Sequence, residues 1–236
     1  MIKYILFDLD ATLLPLRQDE FLYTYLDLVS DKLAQHGYDK QKMVESIKLG
    51  LYAMMNNDGT ITNEQAFWNC YTKIYGEEAK ADEVVFDDFY RNEFNIAKKK
   101  CSFENPQIPQ MVKKLKQDGF ILAIATNPVF PTIATYNRIN WANLNVEDFE
   151  FFTTYEHHSF CKPNPMYYVE VLKRLGAKPE ECLMVGNDVE EDMVAEKAGI
   201  KVFLLTDCLV NHKNQTYEQY PQGNVDDLME FISKLN

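Results

Sequence analysis

The chain has 236 residues and a formal net charge of −12. Such acidity argues against nucleic acid as a partner, because binding a phosphate backbone needs a basic face. With 46 % hydrophobic and 13 % aromatic residues, the composition supports a packed core and excludes a disordered chain. The length suits one domain with an insertion or two modest domains.

An apolar run, Tyr4-Ile5-Leu6-Phe7, opens the chain and ends in Asp8-Leu9-Asp10-Ala11-Thr12. It reads as a buried strand with two aspartates just past its end. Residues 19–100 then carry helical periodicity throughout. The first helix stops near Gly37, a second spans 39–55, and a third opens on the capping-box sequence Thr62-Asn63-Glu64-Gln65. A fourth is expected over 82–97. From Pro106 the pattern changes to alternation: helix 106–118, strand 120–125, helix 131–140, strand 149–153, helix 165–175, strand 182–185, helix 190–198, strand 201–205 and a closing helix 225–235. Alternation predicts a parallel sheet with crossover helices, and the first strand must join it. The expected fold is therefore α/β: a Rossmann-like parallel-sheet core with helices on both faces, formed by residues 1–15 and 101–236. An inserted all-α helical-bundle cap, residues 16–100, hangs over the strand ends. The stretch 208–223 is polar and irregular and suggests no role.

Five cysteines, odd in number and without a Cys-x-x-Cys pair, read as reduced thiols rather than a disulfide framework or zinc site. No secretory signal precedes the first strand and no apolar run approaches the length of a bilayer span. The expectation is a cytoplasmic protein with no membrane contact, a monomer or homodimer.

Open α/β sheets bind ligands beyond the carboxyl ends of their strands, and the polar residues cluster there. Asp-x-Asp alone reads most simply as a solvated acidic turn. Downstream, one strand runs into Thr126-Asn127, where a hydroxyl and backbone N–H groups can receive an anion. Cys161-Lys162-Pro163-Asn164-Pro165 places a lysine before a helix. Gly186-Asn187-Asp188, with Asp192 four residues on, ends another strand and puts two carboxylates on one face of a helix start. Together Asp8, Asp10 and Asp188 suit a hard cation such as Mg²⁺, which takes oxygen ligands and keeps several waters. Thr126, Asn127 and Lys162 supply donors for an anion beside it. That combination suits phosphoryl transfer, with an aspartate as nucleophile.

Taken in order, Asp8-Leu9-Asp10-Ala11-Thr12, Thr126-Asn127, Lys162-Pro163-Asn164-Pro165 and Gly186-Asn187-Asp188 with Asp192 resemble the four motifs of the haloacid dehalogenase superfamily. The likeness is to its phosphatase branch with a helical cap after the first strand. Leu175-Gly176, Pro179-Glu180-Glu181 and Ala195-Glu196-Lys197-Ala198-Gly199 match as well. The resemblance implies a hydrolase of small phosphorylated metabolites. Asp8 would be the nucleophile and Asp10 the acid and base. Mg²⁺ would lie on Asp8, the Asp10 carbonyl and Asp188, with Asp192 in support. Thr126, Asn127 and Lys162 would bind phosphate, and Thr12 would brace the loop. Ala11 stands where glycine is frequent, and Asn187 intervenes where many relatives have Gly-Asp.

Asp10 favours phosphate ester hydrolysis over dehalogenation, since a departing halide needs no proton. A phosphomutase shares the core chemistry and remains the alternative; a non-catalytic module would lack one of Asp8, Asp10 and Lys162. The candidate Schiff-base lysines of a phosphonatase (Lys32, Lys40, Lys42, Lys48, Lys73) read as solvated. The cap aromatics Tyr23, Tyr25, Tyr52, Phe67, Trp68, Tyr71 and Tyr75 read as cap core. Arg17 and residues 56–60 are candidates to face the leaving group.

Overall fold

The N-terminal apolar run forms β1 (Tyr4–Phe7), in which Ile5, Leu6 and Phe7 are fully buried, as a strand covered on both faces requires. The computed structural model describes residues 1–235. These residues form a five-stranded parallel sheet in the order β2-β1-β3-β4-β5. The other strands are β2 (Ile121–Ile124), β3 (Cys182–Gly186), β4 (Lys201–Leu205) and the short β5 (Gln222–Gly223). The alternation of side chains divides the core into two. Ile5, Phe7, Ile124 and Val185 pack with α6 (Gln107–Gln117) and α9 (Val225–Ser233), whereas Leu6, Ala123 and Met184 pack with α8 (Pro165–Leu175). Helices thus cover both faces. The chain leaves β1 and β3, which are neighbours, towards opposite faces, so a crevice opens at their carboxyl ends.

Between β1 and β2 lie α1 (Gln18–Ala34), α2 (Lys40–Met55), α3 (Asn63–Tyr75), α4 (Glu83–Arg91) and α5 (Ile96–Cys101). The capping box at Thr62 is present. The expected fourth helix is two, because the backbone leaves helical geometry at Asn92 (φ −115°, ψ −85°). Tyr25, Phe67, Trp68 and Tyr71 are buried in the aromatic core, while Tyr23 and Tyr52 are exposed. The helical unit meets the sheet core through Asn63, whose backbone N–H donates to His158 O (2.8 Å) and whose Nδ2 donates to Pro128 O (3.1 Å). Gly59 (φ +90°) closes the turn before α3; a Cβ there would fall 2.2 Å from the Phe160 ring.

Two further expectations are corrected. Residues 149–153 do not form a full strand: the segment makes an isolated bridge to β2 at Phe152, where Ile124 N donates to Phe151 O and Thr153 N to Ile124 O, both at 3.0 Å, and Glu150 N donates to Leu122 O at 2.7 Å. Residues 190–198 are not an α-helix but a turn followed by a 3₁₀ helix, Met193–Ala198. Side-chain capping explains it. Asp188 Oδ1 accepts from the backbone N–H of Glu190 and Glu191, and Asp192 Oδ2 accepts from that of Asp188. The irregular 208–223 stretch braces the loop after β3. Val210 pairs with Asp188, and Cys208 O accepts from Asn187 Nδ2 at 2.7 Å.

Candidate active site

β1 delivers Asp8 to the crevice, and its backbone N–H donates to Val185 O (2.9 Å), tying the end of β1 to β3. The turn that follows is closed by Ala11 N to Leu14 O and Leu14 N to Leu9 O, both 2.8 Å. Ala11 has φ 63°, the left-handed conformation that a glycine would hold without strain. Thr12 reaches across to β3's end, donating from Oγ1 to Asn187 Oδ1 at 2.9 Å. Asn187 is therefore a buried strut between two loops.

Lys162 is 1 % exposed, and its Nζ lies 2.8 Å from Asp8 Oδ1 and 2.6 Å from Asp192 Oδ1. Burial works against its charge, yet Asp192 and Asp8 outweigh that and hold the ammonium well above the ordinary lysine range. Asp192 packs directly on Gly186: a Cβ at that position would lie 2.1 to 2.6 Å from the Asp192 side chain. Asn127 positions Lys162 by accepting from its backbone N–H (3.2 Å) and also donates to Glu191 (3.1 Å). Its side chain is thus already engaged, and what Asn127 can offer an anion is its backbone N–H. Thr126 has its carbonyl fixed by Thr153 and Tyr167, bonds that do not involve its hydroxyl. Arg17, an expected leaving-group contact, instead is exposed, donating to Glu20 and to Lys100 O. Lys32, Lys40 and Lys48 pair with carboxylates of the helical unit itself.

Two residues escaped sequence reasoning. Glu191 faces the carboxylate cluster; burial first, then Asp188 and Asp192, push it up to about 8 despite Lys162. Arg138, from α7 (Thr132–Trp141), is buried and ion-paired to Asp10. The one available signal for it was that α7 carries no other charge.

Asp8, Asp10, Asp188, Glu191 and Asp192 thus share the site with two cations, Lys162 and Arg138. Burial above all raises Asp8 to about 7, opposed by Lys162 and reinforced by Asp192 and Asp10. Asp10 and Asp188 are raised chiefly by burial as well. Asp10 Oδ1 is buried without a hydrogen-bond partner among the described residues. An under-neutralised set of oxygen donors fits a hard cation. No three His, Cys, Asp or Glu side chains among the described residues are arranged to hold one by themselves. A cation here would rest on Asp8, Asp188, the Asp10 carbonyl and water; that carbonyl now accepts a long bond from Gln18 (3.3 Å).

A family model of haloacid dehalogenase-like hydrolases matches residues 2–207. The pyrophosphatase PpaX of Bacillus cereus (strain AH820) is 25 % identical over 243 residues, covering 100 % of this chain and 98 % of that protein. A HAD phosphatase from Thermococcus onnurineus superposes with a TM-score of 0.59 at 20 % identity, over 98 % of both chains. A 2-haloacid dehalogenase from Pseudomonas syringae pv. Tomato DC3000 superposes with 0.67 at 17 %, over 100 % of both. Among the described residues no helix is long and apolar enough to cross a membrane.

Proposed function

Since the chain belongs to the haloacid dehalogenase-like hydrolases, we propose that it is a Mg²⁺-dependent phosphatase that cleaves a small organic phosphate monoester in the cytoplasm through an aspartyl-phosphate on Asp8. The observation that carries this reading is Asp10, held two residues beyond Asp8 with one carboxyl oxygen unpartnered among the described residues. A dehalogenase needs no acid for its leaving group, because halide leaves without a proton. An alkoxide does not, and a carboxylic acid beside the nucleophile supplies that proton.

Asp8 attacks phosphorus with Oδ2, the oxygen that Lys162 leaves unbound. Lys162 offsets the charge that gathers as nucleophile and phosphoryl group meet, and Asp192 fixes the lysine from its far side. The Thr126 hydroxyl and the backbone that follows it receive phosphoryl oxygens. Asp8, Asp188 and the Asp10 carbonyl would hold Mg²⁺, which would supply further charge neutralisation. The helical unit, residues 16–100, acts as a cap that excludes bulk water.

The PpaX relatives favour a second reading of the leaving group, as the phosphate of a phosphoanhydride. A screen of purified protein with Mg²⁺ on p-nitrophenyl phosphate, phosphorylated metabolites and pyrophosphate tests both. Monoester hydrolysis with the highest kcat/KM is expected. A pyrophosphate maximum selects the second reading, and folded protein inert on the whole panel overturns both.

A further inference from the structure

Arg138 is 1 % exposed, and every nitrogen of its guanidinium has a partner. Nε donates to Ala134 O (3.4 Å), Nη2 to Thr135 Oγ1 (3.2 Å), and Nη1 to Asp10 Oδ2. Its Cζ lies 4.4 Å from the centroid of the Phe130 ring. That ring is itself fixed against Tyr25 and Phe21 of α1, at centroid separations of 5.1 and 6.0 Å. The guanidinium is held from every side, so it is a rigid anchor rather than a group that swings to meet a substrate. A lysine could not do the same, because only the planar fork reaches Asp10, Thr135 and Ala134 together.

Asp10 is consequently held by one oxygen. Oδ2 belongs to Arg138, while Oδ1 is buried and unpartnered among the described residues. A buried oxygen without a donor is costly, and this one lies at the carboxylate that the phosphatase reading makes the proton carrier. We propose that Arg138 is a positioning residue for Asp10: it pins Oδ2 so that Oδ1 is the oxygen that exchanges the proton. The inference rests on the phosphatase reading and deepens it.

In the first half-reaction Asp8 forms a bond to phosphorus and the bond from phosphorus to the leaving oxygen breaks. That oxygen keeps the electron pair and takes the proton from Asp10 Oδ1. In the second, water attacks phosphorus and gives its proton to the same Oδ1. The Asp8–phosphorus bond breaks, the pair returns to the Asp8 carboxylate, and phosphate leaves. Through both halves Arg138 keeps Oδ2, so a single oxygen serves as acid and then as base.

The test compares two substrates of similar shape: phenyl phosphate, whose phenolate leaves poorly without a proton, and p-nitrophenyl phosphate, whose nitrophenolate needs little help. For Arg138→Gln, kcat/KM on phenyl phosphate should fall on the order of 100-fold or more, the usual share of general acid catalysis. On p-nitrophenyl phosphate the loss should be several times smaller. Thr135→Val, which removes only the acceptor of Nη2, should show the same asymmetry more weakly, and carries the test if Arg138→Gln does not fold. Equal losses on both substrates, or wild-type rates on both, overturn the inference and leave the phosphatase reading standing. A wild-type protein that cleaves neither overturns that reading, and this inference with it.

Discussion

Lys162 Nζ lies 2.8 Å from Asp8 Oδ1, joining the segment that leads into α8 to the end of β1 across 154 residues of sequence. With Asp192 Oδ1 at 2.6 Å, one buried ammonium lies between two carboxylates. Removing one partner from such a group costs far more than the group contributes to stability, because the remaining charges lose their compensation in a dry site.

Lys162→Met should therefore destabilise the protein by about 3–5 kcal/mol. Urea unfolding followed by circular dichroism reads this directly. A loss within about 0.5 kcal/mol, the range of an ordinary surface change, would mean that the ammonium is not buried between Asp8 and Asp192.

Gly186→Ala places a methyl group 2.1 to 2.6 Å from the Asp192 side chain. Asp192 cannot yield cheaply, since Lys162 and the Asp188 N–H both hold it. The expected cost is about 1–3 kcal/mol from overpacking, with activity falling alongside as Lys162 loses its support. A variant with wild-type melting temperature and turnover would contradict the close approach of Asp192 to the β3 end.

His158 is fully buried, with Nδ1 3.1 Å from Thr154 O and Nε2 without a partner among the described residues. Burial above all lowers it from 6.5 to about 4. The unfolded chain then binds the proton more tightly than the folded one. The contribution of His158 to stability is complete above pH 6.5 and declines as the pH falls towards about 4, by a total on the order of 3 kcal/mol. Below that both states are protonated and the slope vanishes. His158→Gln should flatten the profile across this window; an unchanged slope in the variant would assign the acid sensitivity to other groups.

Strands β1 to β4 were legible because each is a short apolar run with a polar cluster near its end, whereas β5, Gln222-Gly223, is polar and was missed within the irregular stretch 208–223. Asp8, Thr126 and Asp188 could be placed at strand ends by that rule, and Lys162 by the helix start after it; the structure brings Lys162 against both Asp8 and Asp192. Arg138 was not legible, because an arginine in an amphipathic helix ordinarily reads as solvated; only the tertiary fold carries it inward to Asp10. The helix expected at 190–198 failed because Asp188 and Asp192 bond to backbone N–H groups themselves, and periodicity does not register that competition. The 149–153 strand failed because Phe149 is buried at the end of a turn, its N–H donating to Val146 O, and only Phe152 forms a bridge to β2.

The most direct test of Asp8 as nucleophile is an acid-quenched single turnover with Mg²⁺ and p-nitrophenyl phosphate, read by mass spectrometry of the peptide containing Asp8. One phosphoryl group on Asp8 is predicted, formed and lost at rates consistent with turnover, and none in Asp8→Asn, which should be folded and inactive. Phosphate release at full rate from Asp8→Asn, or an Asp8 peptide that stays unmodified throughout turnover, would contradict an aspartyl-phosphate mechanism.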